Sequence, residues 1–323
     1  MADAATNPTA GGDTSQEATL DRMHLKQQRS LWGNAWRQFR KHRLAMTGLV
    51  LFIGLVLLTF VGTPLYSGDK DAIDFANTWA SPSLESPLGT DSAGRDLFAR
   101  ILWGGRVSLS VGILAAAVAI SLGTAIGAIA GFFGGTTDTI LMRITDLFLS
   151  LPQLPLLLLI TYRFKDALVD YFDERFGDGN IGIFLLIVVV IAALAWMQTA
   201  RLVRAQFIST KEKEFVEAAR SIGATRSILI FRHILPNVLS PIIVAATLEV
   251  GAAIIVESAL SFLGLGFPSD VPTWGRMLYE GKDYLQLAPQ EALITGTFIF
   301  ITVLSINYIG DGLRDALDPR KTS

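Results

Sequence analysis

The sequence predicts an all-α membrane protein with six transmembrane helices. Two features of the 323-residue chain lead there. Apolar residues make up 51% and charged residues 17%, with a mean hydropathy of +0.45, against about 25% charged in an ordinary soluble protein. The apolar residues are also sorted into charge-free runs at 44–68, 107–137, 147–162, 181–200 and 292–310. A bilayer core about 30 Å thick takes about 20 apolar residues of helix. No soluble core needs several such runs. The same arithmetic excludes intrinsic disorder, a secreted disulfide scaffold and a DNA-binding domain, so lipid is an expected partner and nucleic acid is not.

The expected spans are 44–66, 107–133, 138–162, 181–201, 238–260 and 291–310. All should be helical, because lipid cannot satisfy an open backbone. The first follows 43 residues and lacks a small-residue cleavage site, so it reads as an uncleaved helix and not a signal peptide. The second carries Gly123, Gly127 and Gly131, a spacing that permits close helix contact. The third joins a neutral run to turns bearing Arg143 and Asp146, and Pro152 and Pro155 should kink it. The fourth is uninterrupted, the fifth carries Glu249 and Glu257, and the sixth closes the set.

Lys and Arg set the orientation. One side of the membrane collects 18 of the 27 and the other 9, with Arg40, Lys41 and Arg43 abutting the first span. Both termini are therefore expected in the cytoplasm. The chain divides into a disordered tail (1–30), an amphipathic segment with the first span (31–66), an outer loop (67–106), a five-helix domain (107–315) containing a cytoplasmic loop at 202–237, and a short tail (316–323). Leu31, Trp32, Ala35, Trp36 and Phe39 recur at helical spacing. That helix lies either on the inner leaflet or on the protein's own surface. In the outer loop 163–180, Leu168, Phe172 and Phe176 suggest a short helix.

The cytoplasmic loop is the most informative stretch. Phe215, Ala218, Ala219 and Ile222 are spaced i, i+3, i+4, i+7, a narrow apolar stripe on a charged helix. Gly223 stands where a left-handed cap would end it. A second short helix can run over 225–235, with Pro236 opening the fifth span. Such an elbow offers an apolar ridge to a groove on a partner. Glu217 reads either as part of that contact or as a solvated residue near Lys213 and Arg220.

Glu217-Ala218-Ala219, then Gly223, then Leu235-Pro236 resemble the EAA loop of ABC importer permeases. His233 replaces the Ile of the broad consensus and is similar to peptide-type members. The stretches 87–96 with 102–109, 257–268 with 272–275, and 30–47 also resemble the dipeptide/oligopeptide/nickel permeases, in the right order and over about residues 30–320. The chain looks like the C-type subunit, with a type I (MetI-like) transmembrane fold.

That resemblance implies a bacterial or archaeal inner-membrane importer of di- or oligopeptides. Its other parts would be a homologous permease, two cytoplasmic ATPases and an extracytoplasmic solute-binding protein. ATP and Mg would sit on the ATPases, with no cofactor on this chain. The mechanism would be alternating access, with 215–223 coupling to the ATPase. Nickel chelates, glutathione or another small solute form the alternative cargo. A stand-alone secondary transporter or channel is the other class, but it predicts internal repeats, and none is evident.

Individual residues carry paired readings. Gly89 and Gly94 space like a phosphate-binding loop but lack the Lys and Ser/Thr that should follow, so this chain is not expected to hydrolyse ATP. Asp91 either caps a helix starting near Gly94 or, with Arg95, Asp96, Pro268 and Trp274, meets the binding protein. Arg143 and Asp146 form a structural pair or an inner gate. Glu249, near mid-depth, faces a substrate path, is protonated, or bonds a neighbouring helix. Glu257 orders 261–275 through backbone amides or belongs to the pathway. There is no cysteine, and the three histidines, His24, His42 and His233, form no metal or catalytic cluster.

Overall fold

The computed structural model describes residues 31–317. The expected tail 1–30 and residues 318–323 lie outside the described residues. Among the described residues the protein is helical, with no strand. In chain order the helices of eight residues or more are α1 (Leu31–Lys41), α2 (Arg43–Phe60), α3 (Leu97–Phe133), α4 (Gly135–Ser150), α5 (Gln153–Phe176), α6 (Gly179–Ala193), α7 (Trp196–Lys211), α8 (Glu214–Ser221), α9 (Arg226–Phe262), α10 (Trp274–Gly281) and α11 (Gln290–Leu317).

Four of these, α2, α3, α9 and α11, are long and apolar enough to cross a bilayer alone. The other two spans are bent pairs: α4 and α5 meet at 86°, α6 and α7 at 42°. Six spans result if each pair counts once. Val50, Leu57, Leu159, Val189 and Phe300 stay exposed, as residues facing lipid or a partner subunit would.

Several boundaries differ from expectation. The second span begins at Leu97, ten residues before 107, because Asp96 accepts from the N–H groups of Phe98 and Ala99 and caps the helix there. The expected span 138–162 is not one kinked helix. Leu151 is extended, as the residue before proline must be, and Pro152 starts a new helix almost at right angles. That helix runs on to Phe176, so the short helix expected within 163–180 is the end of α5. Gly177, at φ +73°, terminates it. The second limb of the elbow is not a separate helix either. Residues 226–262 are continuous, with a π-turn at Leu229–Ile234.

The centre of the bundle is α3, which packs on α2, α6, α7 and α9. Its glycines permit the closest approach. A Cβ added at Gly123 would lie 2.6 Å from the Trp196 carbonyl oxygen, and one at Gly131 2.7 Å from Phe207 Cβ. Gly127 faces the Ala200 carbonyl in the same row. At the outer side of the bundle α2 packs on α11, with Gly48 against Ser305 and Gly312 against Ala45. Helix α1 turns Ala35 and Phe39 inward onto Ala45 and Ala316, while Trp36 remains exposed. The protein's own surface, therefore, takes one face of this amphipathic helix.

The tight α3–α7 contact yields a stability prediction. Gly127→Leu should destabilise by about 1–3 kcal/mol through overpacking, read as a lower thermal midpoint in detergent. Gly54→Leu should not, because nothing lies within 4 Å of a Cβ there.

Candidate functional sites: the elbow, the mid-depth cavity and the opposite end

Helix α8 is eight residues long and amphipathic. Val216 and Ala219 are buried against Phe207, Leu229, Ile234 and Val238. Phe215, Glu217, Ala218 and Ile222 are exposed, Ile222 by 87%. Of the expected stripe, Ala219 thus faces the protein's interior and not a partner. On a short helix two apolar rows overlap, and only the packing of α7 and α9 decides which one is buried. Gly223 N–H donates to Arg220 O (3.0 Å) and Ala224 N–H to Ala219 O (3.1 Å). This paired closure needs a left-handed residue, and Gly223 supplies it at φ +88°. Lys211 Nζ donates to the Gly131 carbonyl at 3.1 Å, tying the elbow to the end of α3. Phe231, in the π-turn, is also exposed.

Beside the elbow, the expected Arg143–Asp146 pair does not form. Asp146 accepts from Arg201 of α7 at 2.5 Å, and Arg143 is exposed without an ion pair among the described residues. The i, i+3 arginine on the same helix loses here to an equally long one reaching across from α7. Arg204 makes a second such bridge, forked onto both oxygens of Asp138. A forked pair fixes geometry as well as charge.

In the second half of α9, Glu249 lines a cavity of about 140 Å³ with Gln153, Leu194, Gln198 and Ala252. It makes no hydrogen bond or ion pair among the described residues. Glu257 is fully buried and accepts from Ser108 Oγ and Ser261 Oγ, each at 2.9 Å. Its partners are hydroxyls, not the backbone amides expected. It still orders the loop, because Ser108 Oγ in turn accepts from the Trp274 N–H at 3.2 Å.

At the end of the bundle opposite the elbow, a loop and α10 close over α3. Asp91 does not cap a helix. Its Oδ1 accepts from the N–H groups of Ala93 and Arg95, and its Oδ2 from Arg95 Nε. The amides that a phosphate would need are thus filled by the loop's own carboxylate. Gly94, at φ +73°, lies where a side chain would strike the Asp74 backbone. Asp96 accepts from the Tyr66 hydroxyl at 2.5 Å. Burial and the Asp96 carboxylate raise the Tyr66 phenol above its usual range, so it remains a donor. Trp274 is fully buried, its Nε1 donating to the Ile101 carbonyl at 3.1 Å. Asp91, Asp96 and Trp274 are therefore interior residues, not a contact surface. Pro268 keeps partial exposure, and Arg95 is turned inward onto Asp91 and Glu280.

Residues 123–323 match the family described as the binding-protein-dependent transport system inner membrane component, and residues 30–87 match the N-terminal transmembrane domain of oligopeptide transport permease C. The chain belongs to the binding-protein-dependent transport permeases. The dipeptide transport system permease protein DppC of Alkalihalophilus pseudofirmus is 39% identical, over 91% of each chain. The oligopeptide transport system permease protein OppC of Haemophilus influenzae is 38% identical, over 90% of this chain and 89% of its own. The glutathione transport system permease protein GsiD of Pectobacterium atrosepticum is 36% identical, over 95% and 97%. These relatives are transport subunits, not enzymes, and the permease is a multi-pass membrane protein.

Sequence reasoning missed the residues that hold the permease's loop-bearing end together. Glu280 of α10 accepts from Arg95 (2.8 Å), Arg100 (2.7 Å) and Arg276 (2.9 Å). Arg100 is 1% exposed. An arginine four residues into an apolar helix was the available signal. Its partner lies 180 residues away, which no local pattern reveals. Removing one partner from a buried pair costs about 3–5 kcal/mol. Glu280→Gln should accordingly lower the thermal midpoint of the purified permease far more than Asp146→Asn, whose bridge is exposed and worth about 1 kcal/mol or less.

Proposed function

We propose that this permease is the C-type half of a heteromeric, ATP-driven importer of di- and oligopeptides. The observation that carries the reading is the exposed ridge of Phe215, Ala218 and Ile222, closed by Gly223. An apolar row on a short helix, anchored by its other face, suits insertion into a groove. The groove would belong to a cytoplasmic ATPase that holds ATP and Mg. The elbow would then lie in the cytoplasm with both termini, as the distribution of Lys and Arg implies. A homologous permease would supply the other half of the pathway, and an extracytoplasmic binding protein would deliver cargo to the opposite end.

In this reading ATP binding draws the two elbows together and opens the pathway outward. Hydrolysis resets it. Val216 and Ala219 transmit the movement, because they belong to one buried apolar cluster with Phe207 of α7 and Leu229 and Ile234 of α9. The forked Arg204–Asp138 bridge adds α4 to the same moving unit. The glutathione permease relative supports a second cargo, a small γ-linked peptide.

The test is purification of the tagged chain from its native membrane, followed by intact-mass measurement. Two ATPase copies and one homologous permease should accompany it. Ile222→Glu should remove the ATPases while changing thermal stability by no more than about 0.5 kcal/mol, since the site is exposed. Gly223→Pro should also remove the ATPases but at a larger cost in stability, because proline lacks the N–H that Gly223 donates to Arg220 O and its fixed φ near −65° is incompatible with the cap. A homo-oligomer that transports without any nucleotide-binding partner would overturn the proposal. Uptake of a labelled dipeptide against labelled glutathione separates the two cargoes.

A further inference from the structure

The cavity around Glu249 has a composition that packing alone does not explain. Glu249 is the sole ionisable residue among those lining it. The side chain has no partner among the described residues, although a carboxylate at this depth is expensive unless something offsets it. The surrounding backbone is also broken on two sides. One wall is the start of α5 after the 86° turn, and another is the end of α6 at the 42° bend.

Those breaks matter electrostatically. The C-terminal end of α6, where Ile191, Leu194 and Ala195 line the cavity, carries the negative end of its helix dipole. Pro152 and Pro155 carry no N–H, so at the start of α5 only Gln153 and Leu154 offer free ones, and the first turn of α7 reaches the cavity through Met197 and Gln198. Gln153 Nε2 is committed to the Leu194 carbonyl at 3.0 Å, which holds the two broken ends together. Glu249 is therefore the one ionisable side chain facing this small space, where the other electrostatic contributions are the partial charges of the helix ends. The space, about 140 Å³, has room for on the order of four or five waters at about 30 Å³ each. That accommodates an ammonium group and the residue behind it, not a whole peptide.

We infer that this cavity is a subsite for a primary ammonium group, and that Glu249 receives the amino terminus of a peptide in transit. The inference rests on the peptide-import reading and names the part of the cargo recognised within the membrane. Gln198, exposed at the cavity rim, adds an amide acceptor for the ammonium's remaining protons. Specificity for a free amino end would then be imposed twice, once by delivery and once inside the permease.

The chain has no cysteine, so a single introduced thiol reports on the cavity alone. Ala252→Cys, or Gln198→Cys if the first does not fold, is labelled in the purified complex at fixed ionic strength. The reagents are aminoethyl and sulfonatoethyl methanethiosulfonate, and modification is read as mass added to this chain. With each rate divided by that reagent's rate towards a small free thiol, the aminoethyl reagent should be favoured at least about tenfold over the sulfonate, as expected for a unit charge a few ångströms from a carboxylate in a partly desolvated site. Adding Glu249→Gln should abolish the preference. Millimolar alanylalanine should slow labelling, and N-acetyl-alanylalanine should not. Equal normalised rates for the two reagents, a preference that survives Glu249→Gln, or equal effects of the two peptides would each overturn the inference. Failure of the import reading is separately visible as the absence of ATPase subunits from the same preparation.

Discussion

The close approach of α3 and α7 is the constraint on which the rest depends. In lipid there is little hydrophobic drive to bring two helices together, so contact must come from packing. Gly123, Gly127 and Gly131 remove the side chains that would hold the backbones apart. Because α7 leads directly into α8, this contact also fixes where the elbow sits. Lys211 completes the arrangement by donating to the Gly131 carbonyl at the end of the glycine row.

The two ends of the bundle are built differently, and the difference suits their tasks. At the elbow end the bridges are Asp146–Arg201 and Asp138–Arg204, exposed or half-exposed, while the inner face of α8 is apolar. Such a surface can shift without stranding a buried charge. At the opposite end Arg95, Arg100 and Arg276 converge on Glu280, and Glu257, Ser108 and Trp274 form a buried polar chain. Charges desolvated together must stay together, because separating them restores the cost of burying each alone. The result is a rigid cap over the start of α3.

Much of this architecture was legible in the chain. Charge-free runs located the membrane segments, the four-residue glycine spacing marked a close contact, and Gly223 marked the end of α8. The errors have a common cause. Arg100 and Arg106 kept 97–106 outside the expected span 107–133, because a charge in isolation belongs in water. The helix includes them because Glu280, distant in sequence, supplies Arg100 with a partner. Arg143 was paired with Asp146 on spacing, although Arg201 of another helix reaches the carboxylate. Asp91 and Trp274 looked like surface residues and are interior ones.

The chain alone establishes that it spans a membrane as helices, which apolar stretches those helices contain, and that a glycine-terminated elbow joins α7 to α9. These are properties of local composition and spacing, which a run of neighbours is enough to set. The packed structure is what turns Val216 and Ala219 inward and leaves Phe215 and Ile222 exposed. It alone placed Glu249 in a cavity between two broken helices. Burial and charge pairing depend on side chains brought together from distant parts of the chain, and a one-dimensional pattern does not contain those distances.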